Sequence, residues 1–471
     1  MFAAAAIWAC PWVDLPVPGG RLHVDAGLVT AVEPARPEGD ILWVPGLVNA
    51  HDHGRGLSPL TYGAPDAPLE PWLWDLRRAP GVDVYLSHLV AFGDMVLSGV
   101  TAVVHNHLPQ GPDIVAEARE VARAARDVGL RLAMVVPIID RNLSGYDGWD
   151  AALAPLSPAE RAAVAAAHTM PPVADQIAAV RAVAAAIDGP HIVTQFGPPG
   201  PQWLSRDGWA QVGAAAAADR RRVHTHLLET KPQRLWLDHE EPGGAAAFFS
   251  RAGVPGDLLS VAHGVWLTTA EMTDLAGAGV TLALNTSSNL RLASGQANGA
   301  ALAAVGLALG LGLDGMAIDD DADMWREIRL AINVLGPRGV DGGGLGRAAI
   351  LAAAFSTGRR CFDGIAGQGL VVGAPADMVG LSLIALAADQ IDPSPAVTSA
   401  LVIGRATRRA VRQVIVGGRE VVRDGLLTGA DLPAARRDLT AQARAAFAAG
   451  PPGDWIARAR TATLRAYGGR T

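Results

Sequence analysis

Lysine is almost missing from this sequence: Lys231 is the only one among 471 residues, so nearly all the positive charge is arginine. Cysteine is also scarce. Cys10 and Cys361 cannot build a disulfide framework, so a reducing compartment is the default expectation. The net charge is −7 with no long basic run, which leaves no electrostatic footprint for nucleic acid or an anionic membrane. We therefore expect a cytoplasmic protein with neither of these partners.

Long hydrophobic runs are missing as well. The longest apolar stretch, residues 299–313, is rich in glycine, ends before Asp314 and is too short to span a bilayer. The N-terminal MFAAAAIWAC has no basic segment before its apolar residues, which favours a first strand over a signal peptide. Half of the residues are hydrophobic and 18% are charged, enough to bury a large core.

What is present is a repeating pattern from residue 41 onward, in which a short apolar run is followed by polar residues and an alanine-rich helical segment. Short β-branched runs that alternate with helices predict βαβ units and a parallel sheet. Eight such units predict an α/β fold of the (β/α)₈ (TIM) barrel type, with its active site at the carboxyl ends of the strands. The predicted strands are ILWVPGLV (41–48), TAVV (101–104), RLAMVVPII (131–139), IVTQF (192–196), RRVHTHLL (221–228), LLSVA (258–262), VTLAL (280–284) and LALGLGL (307–313).

The two ends of the chain have a different pattern, with short strands broken by Gly, Pro and Asp. We predict that residues 1–44 and 366–430 form one small composite β-sandwich domain. Residues 45–365 are then the barrel, and residues 431–471 form a helical, arginine-rich C-terminal tail.

Histidines concentrate where the predicted strands end. Two imidazoles that are two residues apart on a strand point the same way, so His51 and His53 can share a metal ion. A hydrogen-bonded pair is an equally good interpretation of this motif alone. Seven of the twelve histidines lie at predicted carboxyl ends of strands: His51, His53, His105, His107, His224, His226 and His263.

Carboxylates accompany these histidines. Glu229 follows His226 by three residues, and a histidine ligand with a nearby carboxylate supplies what metal-assisted hydrolysis needs. Glu229 alone could equally cap a helix. Asp314 ends the eighth apolar run, where a carboxylate is costly unless it is paired or binds a metal. His263 by itself is more typical of a structural histidine. The cluster Asp319, Asp320, Asp321 and Asp323 is typical of a helix start.

Taken together, PGLVNAHDH, HTHLLET, SVAHG, NTSSNLRLASG and LGLDG resemble the signature motifs of the amidohydrolase superfamily. The most similar branch contains the cytosine, guanine and adenosylhomocysteine deaminases and the triazine hydrolases. The resemblance implies a distorted (β/α)₈ barrel with a β-sandwich from both termini, and a homodimer. It implies that one divalent metal is bound by His51, His53, His226 and Asp314. It also implies that Glu229 carries a proton, that His263 polarises the substrate, and that Asp314 takes the proton of the attacking water.

The scarcity of lysine limits the number of metal ions that we expect at this site. Relatives with two metals usually bridge them through a carboxylated lysine on strand four, but strand four here reads HIVTQFGPPG, and Lys231 lies beyond strand five. We therefore predict a mononuclear site, with Zn²⁺ as the first candidate and Fe²⁺ as the alternative.

The expected reaction is hydrolytic deamination of an aminated N-heterocycle or cyclic amidine. Ring opening of a cyclic amide or imidazolone, triazine-type loss of chloride or alkylamine, and a non-catalytic binding role are the alternatives. Related adenosylhomocysteine deaminases carry Pro-His-x-Pro after strand four, whereas residues 198–201 read PPGP, which leaves the substrate unnamed.

Substrate contacts are expected from strand ends and from two long loops. The loops carry Trp72, Trp74, Tyr146 and Trp149, and such aromatic residues suit a flat heterocycle or, equally, a dimer interface. The candidate substrate residues are His105, His107, Trp74 and Asn285.

Overall fold

The computed structural model describes residues 1–142, 149–166, 169–340, 342–450 and 452–468. Its centre is a sheet of eight parallel strands, each paired with the next one along the chain. The barrel strands are β7 (Leu47–Asp52), β8 (Val100–Asn106), β9 (Arg131–Pro137), β10 (Ile192–Gly197), β11 (Val223–Leu227), β12 (Leu259–His263), β13 (Thr281–Leu284) and β14 (Ala308–Leu311).

The first and last strands of this sheet come together and nearly close the barrel. The backbone N–H of Asp314, just after β14, donates to the carbonyl of His51 on β7 over 3.0 Å. The N–H of Leu313 donates to the side-chain oxygen of Asn49 over 3.0 Å. The predicted (β/α)₈ barrel is therefore confirmed.

Strands from both ends of the chain form two further sheets beside the barrel. One has the order β1-β4-β5 and the other β18-β17-β16-β15-β6-β2-β3. Leu22 and Val29 of the first sheet share a buried cluster with Trp43, Met378 and Ile415 of the second. Their strands are β1 (Phe2–Ala3), β2 (Ala6–Ile7), β3 (Val17–Pro18), β4 (Arg21–Asp25), β5 (Leu28–Glu33), β6 (Ile41–Pro45), β15 (Met378–Ser382), β16 (Val411–Val416), β17 (Arg419–Arg423) and β18 (Leu426–Leu427).

This arrangement confirms the predicted β structure from both termini. The exact domain boundaries at 44/45, 365/366 and 430/431 stay predictions.

Helices surround the barrel, and side chains cap many of them. Asp83 and Asp113 accept from backbone N–H groups of α2 and α3, and Thr268 and Glu271 form a capping box at α10. The helices through α10 are α1 (Leu69–Asp75), α2 (Val84–Leu97), α3 (Ile114–Val128), α4 (Trp149–Leu153), α5 (Pro158–Ala166), α6 (Val173–Ile187), α7 (Arg206–Asp219), α8 (Lys231–Glu240), α9 (Gly244–Arg251) and α10 (Thr269–Gly277). The remaining helices are α11 (Thr286–Arg291), α12 (Gly299–Val305), α13 (Met324–Leu335), α14 (Arg347–Phe355), α15 (Arg360–Asp363), α16 (Leu383–Ala387), α17 (Pro395–Arg405), α18 (Leu432–Ala449) and α19 (Trp455–Gly468).

Two apolar layers hold the barrel together. Small and medium residues such as Ala102, Val104, Ala133 and Ala283 fill its interior. A larger cluster, which includes Val103, lies between the strands and the helices. Successive side chains on a strand point to opposite faces, so Ala102 and Val104 of β8 face the interior and Val103 faces the helices. Among the described residues, none of the helices combines the length and the apolar character that a membrane crossing requires.

Candidate metal centre and active site

Four side chains from three parts of the chain converge at the carboxyl ends of the barrel strands. One ligand atom from each of His51, His53, His226 and Asp314 lies within 4.8 Å of the others. Oδ1 of Asp314 is 3.2 Å from Nε2 of His51 and 3.0 Å from Nε2 of His53. The Nε2 atoms of His53 and His226 are 3.2 Å apart. The four residues predicted as ligands are therefore neighbours around one point.

The free atoms of this cluster fit a divalent metal. Nε2 of His51 and Oδ1 of Asp314 are buried and lack a hydrogen-bond partner among the described residues. Nδ1 of His226 donates to the carbonyl of Pro199 over 2.7 Å, which leaves its Nε2 lone pair for a cation. Oδ2 of Asp314 accepts from the Ser288 hydroxyl over 2.5 Å. Three imidazole nitrogens and one carboxylate oxygen suit Zn²⁺ and other divalent transition metals.

The protonation states of the clustered ligand residues also suit metal binding. Burial lowers the pKa of His51 to about 4 and holds the pKa of His226 well below the usual range. Burial raises the pKa of Asp314, but the imidazoles of His51 and His53 outweigh it and keep that pKa well below its ordinary value. At neutral pH His51 and His226 are neutral and Asp314 is ionised, as metal ligands must be.

A chain of histidines orients the first ligand. Nδ1 of His51 is 2.8 Å from Nε2 of His224, and Nδ1 of His224 is 2.7 Å from the hydroxyl oxygen of Ser260. When Nε2 of His51 faces a cation, Nδ1 carries the proton and donates to His224, which donates to Ser260. His224 therefore supports a ligand rather than serving as one.

Two residues of the site have left-handed backbone conformations. The φ angle is +74° at His263 and +58° at Asp314, a region that residues other than glycine rarely adopt. Such conformations cost free energy and are concentrated at functional sites. His263 is the last residue of β12, and Asp314 follows the end of β14 by three residues.

Glu229 and His263 lie next to the metal-ligand cluster. Both are buried, and Oε2 of Glu229 is 3.7 Å from Nε2 of His263. Burial raises the pKa of Glu229 to about 7, although His263 and the Ser294 hydroxyl, 3.2 Å from Oε1, act to lower it. Nδ1 of His263 donates to the side-chain oxygen of Asn289 over 2.9 Å, so its Nε2 is directed toward the site. Glu229 can therefore take up and release a proton near neutral pH.

Hydrogen bonds and a cation–π contact hold the long loop after β7 beside Asp314 and Glu229. Arg55 donates to the carbonyl of Asp314 over 2.5 Å, and its guanidinium lies 5.4 Å from the Trp72 ring centre. The Thr230 hydroxyl donates to Glu70 of α1 over 2.5 Å. Helix α1 is thus joined to the residue that follows Glu229.

The sequence analysis does not assign the residues that orient Asp314, His263 and Glu229. Ser288, Asn289 and Ser294 contact Asp314, His263 and Glu229. All three belong to the NTSSNLRLASG segment, which was recognised as a motif without a role for each residue. Their position directly after the seventh barrel strand was the available signal.

The fourth barrel strand, β10, carries no lysine that could bridge two metal ions. Gln195 of β10 is buried and donates to the carbonyls of Cys361 and Phe362, 2.8 and 2.9 Å away. Lys231 begins helix α8, beyond β11.

Two of the candidate substrate residues, His105 and His107, lie on the other side of strand β8 from the metal-ligand cluster. The rings of His105 and His107 lie on the helix-facing side of β8, against His88, while Asn106 between them contacts His51 over 3.0 Å. The candidate role of both histidines is not supported by this placement and stays a prediction.

The other two candidates are equally enclosed. Trp74 is fully buried, donates to the Thr463 hydroxyl over 2.8 Å and stacks on Trp149 at a ring distance of 5.8 Å. Asn285 is buried, and its amide atoms have no hydrogen-bond partner among the described residues. Tyr146 lies outside the described residues. Substrate roles for Trp74 and Asn285 stay predictions.

Comparison with known proteins places this site in a family. The model of the Amidohydrolase family matches residues 42–421. A 5'-deoxyadenosine deaminase from Methanosarcina barkeri is 29% identical over 293 residues, which cover 61% of this chain and 60% of that protein. The match thus spans about three fifths of that curated relative.

Solved structures extend the likeness over the whole chain. An adenosine deaminase from Xanthomonas campestris with bound zinc is 25% identical, covers 98% of each chain and has a TM-score of 0.72. The atrazine chlorohydrolase TrzN from Arthrobacter aurescens TC1, complexed with zinc, shares the fold at 19% identity, with 93% of this chain and 98% of that chain covered and a TM-score of 0.76. With most of the chain matched by the family model, and with the barrel and its converging histidines in place, this chain belongs to the amidohydrolase family.

Proposed function

We propose that this protein is a metal-dependent hydrolase that removes an exocyclic amino group from an N-heterocycle or cyclic amidine. The observation that carries the proposal is the convergence of His51, His53, His226 and Asp314 beside the buried Glu229. The deaminases named among the relatives support this reaction type, and the zinc in the Xanthomonas campestris enzyme supports Zn²⁺ as the cofactor.

Each residue of the site has a task in this reaction. A divalent ion held by the four ligands would make water nucleophilic at neutral pH, because a bound cation lowers the pKa of water to about 7. Oδ1 of Asp314 faces the ligand centre and would take the proton of the attacking water. Glu229, with a pKa of about 7, would protonate the ring nitrogen. It would then take the remaining proton of the attacking water from the hydroxyl of the tetrahedral adduct and pass it to the leaving amine. The proton held by Asp314 would return Glu229 to its acid form.

His263 would act on the oxygen that attacks. In the neutral ring, the proton on Nδ1 is committed to Asn289, so Nε2 accepts a hydrogen bond and orients the water. The buried setting strengthens this interaction, because the local dielectric is low.

The loop after β10 supports a change of substrate relative to the adenosylhomocysteine deaminases. Residues 198–201 read PPGP where the Pro-His-x-Pro motif of those enzymes is expected, so this chain has no imidazole at that position. We therefore propose the chemical class of the substrate and no individual compound.

An ammonium-release screen tests the proposal. The zinc-loaded protein is incubated with aminated purines, 5'-deoxyadenosine, aminopyrimidines, cyclic amidines and aminotriazines, and with Asp314→Asn as the control that loses the proposed base. We expect ammonium in a 1:1 ratio to substrate consumed for at least one compound, and none from Asp314→Asn.

Other outcomes would contradict the proposal in different ways. A new carboxylate without ammonium would indicate ring opening, and chloride or alkylamine from a triazine would indicate the TrzN-like reaction. Turnover that survives exhaustive chelation, with no metal detectable in the protein, would refute metal dependence.

A further inference from the structure

A second group of histidines lies behind the first ligand pair. His105 and His107 project from the helix-facing side of β8, and His88 of α2 lies opposite them. The ring centres are 4.9 Å apart for His88 and His105, 5.6 Å for His88 and His107, and 5.6 Å for His105 and His107. All three side chains are buried, and one ring nitrogen of each lies within 4.8 Å of the other two.

Each of these rings has a nitrogen to offer. Nδ1 of His88 donates to the carbonyl of Val84 over 2.7 Å, which leaves Nε2. Nε2 of His107 is 2.8 Å from Oε2 of Glu117, which leaves Nδ1. His105 is fully buried, and both of its ring nitrogens lack a hydrogen-bond partner among the described residues.

The position of His105 is hard to explain without a ligand. A buried polar group that makes no hydrogen bond destabilises the folded state, and native proteins rarely tolerate one. The neighbours of His105 across the helix layer include the ring of Phe92, at 5.5 Å, whose π face offers an imidazole N–H only a weak acceptor. A cation between the three rings would give His105 a partner.

The partners of the other two rings are those that metal-binding histidines have. A carboxylate on the far nitrogen, as for His107 and Glu117, or a backbone carbonyl, as for His88 and Val84, fixes the tautomer and increases ligand basicity. The N–H groups of Gln110 and Gly111 hold the Glu117 carboxylate, at 3.0 Å and 2.5 Å.

We propose that His88, His105 and His107 bind a second divalent transition-metal ion, for which Zn²⁺ is the best fit. A tetrahedral zinc ion with bonds of about 2.0–2.1 Å needs ligand atoms roughly 3.3 Å apart, so the three nitrogens, now within 4.8 Å of one another, would close around it. The fourth position is left to water. This site differs from a lysine-bridged pair, and it does not depend on the proposed reaction.

The second site would support the first one. A Cβ at Gly54, whose φ is +57°, would lie 2.8 Å from the His105 ring and 3.3 Å from the His88 ring. The backbone directly after His53 therefore rests on the histidine group. An ion there joins β8, α2 and the loop that carries His53.

Zinc stoichiometry tests the inference without any substrate. The full chain is stripped with a chelator, reloaded with Zn²⁺, freed of excess metal and analysed for zinc per chain. We expect two ions in the wild type, one in His105→Asn, one in the double variant His51→Asn and His53→Asn, and two in the control His239→Asn, whose side chain is exposed. One ion in the wild type, or two ions in His105→Asn, would overturn the proposal.

A milder variant covers the case in which His105→Asn does not fold. Glu117→Gln keeps all three ligands and removes the carboxylate from His107. We expect a 10- to 100-fold weaker affinity for one of the two zinc ions, measured by competition with a chromophoric chelator. Unchanged affinity for both ions would overturn the proposal. Failure of the ammonium screen would leave these results unaffected, so the two proposals are judged separately.

Discussion

The side chain of Glu229 is buried at the barrel mouth beside His263 and Ser294, and burial raises its pKa to about 7. A proton carrier works best when its pKa is near the working pH. Because the acid form donates to the ring nitrogen, the rate should fall as the pH rises through about 7.

Glu229→Gln tests this role. We expect kcat/KM to fall by about 10²- to 10⁴-fold, the usual contribution of a general acid or base. The zinc content should stay at the wild-type value, because Glu229 is not one of the clustered ligand residues. Metal analysis and steady-state kinetics measure both. Wild-type kcat/KM in this variant would remove Glu229 from the mechanism.

Glu229→Gln should also change the way in which the free energy of unfolding depends on pH. The pKa of Glu229 is raised in the folded protein, so its contribution to stability is present at low pH and is lost as the pH rises through about 7. Glutamine has no such loss. We compare the unfolding free energy of the metal-free variant with that of metal-free wild type at each pH. The variant-minus-wild-type difference should be on the order of 2 kcal/mol larger at pH 8 than at pH 5. Urea unfolding at both pH values measures this difference.

Ser294→Ala should shift the alkaline limb of the pH–rate profile to higher pH. The Ser294 hydroxyl lowers the pKa of Glu229, so its removal raises that pKa. We expect the alkaline limb of kcat/KM to shift upward by roughly 0.7 pH unit, since a hydrogen bond contributes about 1 kcal/mol. The exposed Ser250→Ala is the control. A downward shift would contradict the assignment of Glu229 as the acid.

At the scale of single elements, strand β8 shows how far sequence reasoning reaches. The pattern predicted that the strand ends near His105 and His107, and it does. The pattern could not determine whether the odd- or the even-numbered side chains face the barrel interior. That choice depends on how Val103 and Val104 pack against neighbouring elements. The structure turns Asn106 toward His51 and both histidines toward α2.

The ligand residues were easier to foresee. His51, His53, His226 and Asp314 belong to motifs at strand ends, and parallel strands bring their carboxyl ends to one mouth. The orienting residues Ser288, Asn289 and Ser294 act through side-chain hydrogen bonds across the mouth, which strand periodicity does not encode.

Asp52 joins the first and last barrel strands, and its removal should loosen the site. Its buried carboxylate accepts from the N–H groups of Gly54 and Gly315, at 2.6 and 3.0 Å, and from Asn49, at 2.8 Å. Asp52→Ala leaves these donors without an acceptor, so we expect a loss of about 3 kcal/mol in unfolding free energy.

We also expect weaker zinc binding in Asp52→Ala, because Asp52 lies between two ligands. Denaturant unfolding and zinc competition measure the two effects. The exposed Asp25→Ala should change neither one. Wild-type stability in Asp52→Ala would contradict the role of Asp52 as the tie between the strands.

At the scale of the whole molecule, the C-terminal helix α19 reaches back to the loop helices near the barrel mouth. Ile456 and Ala459 share a buried cluster with Trp74 and Ala152. A tail helix was predicted from composition, but its docking partner was not, because contacts between distant parts of the chain leave no local pattern. A homodimer and a cytoplasmic location stay predictions.

Thr463→Val tests whether Trp74 is a packing residue. Valine has a similar shape but cannot accept from the Trp74 indole N–H, so we expect a loss of about 1–3 kcal/mol in unfolding free energy with KM unchanged. Thr461→Val, on the exposed side of the same helix, is the matched control. A raised KM with unchanged stability would instead support a substrate contact at Trp74.

Anomalous diffraction at the zinc edge, from crystals of the active zinc-loaded protein, tests the metal centre most directly. We predict a peak about 2.0–2.2 Å from Nε2 of His51, His53 and His226 and from Oδ1 of Asp314. Crystals that turn over substrate and show no metal at that point would contradict the central claim.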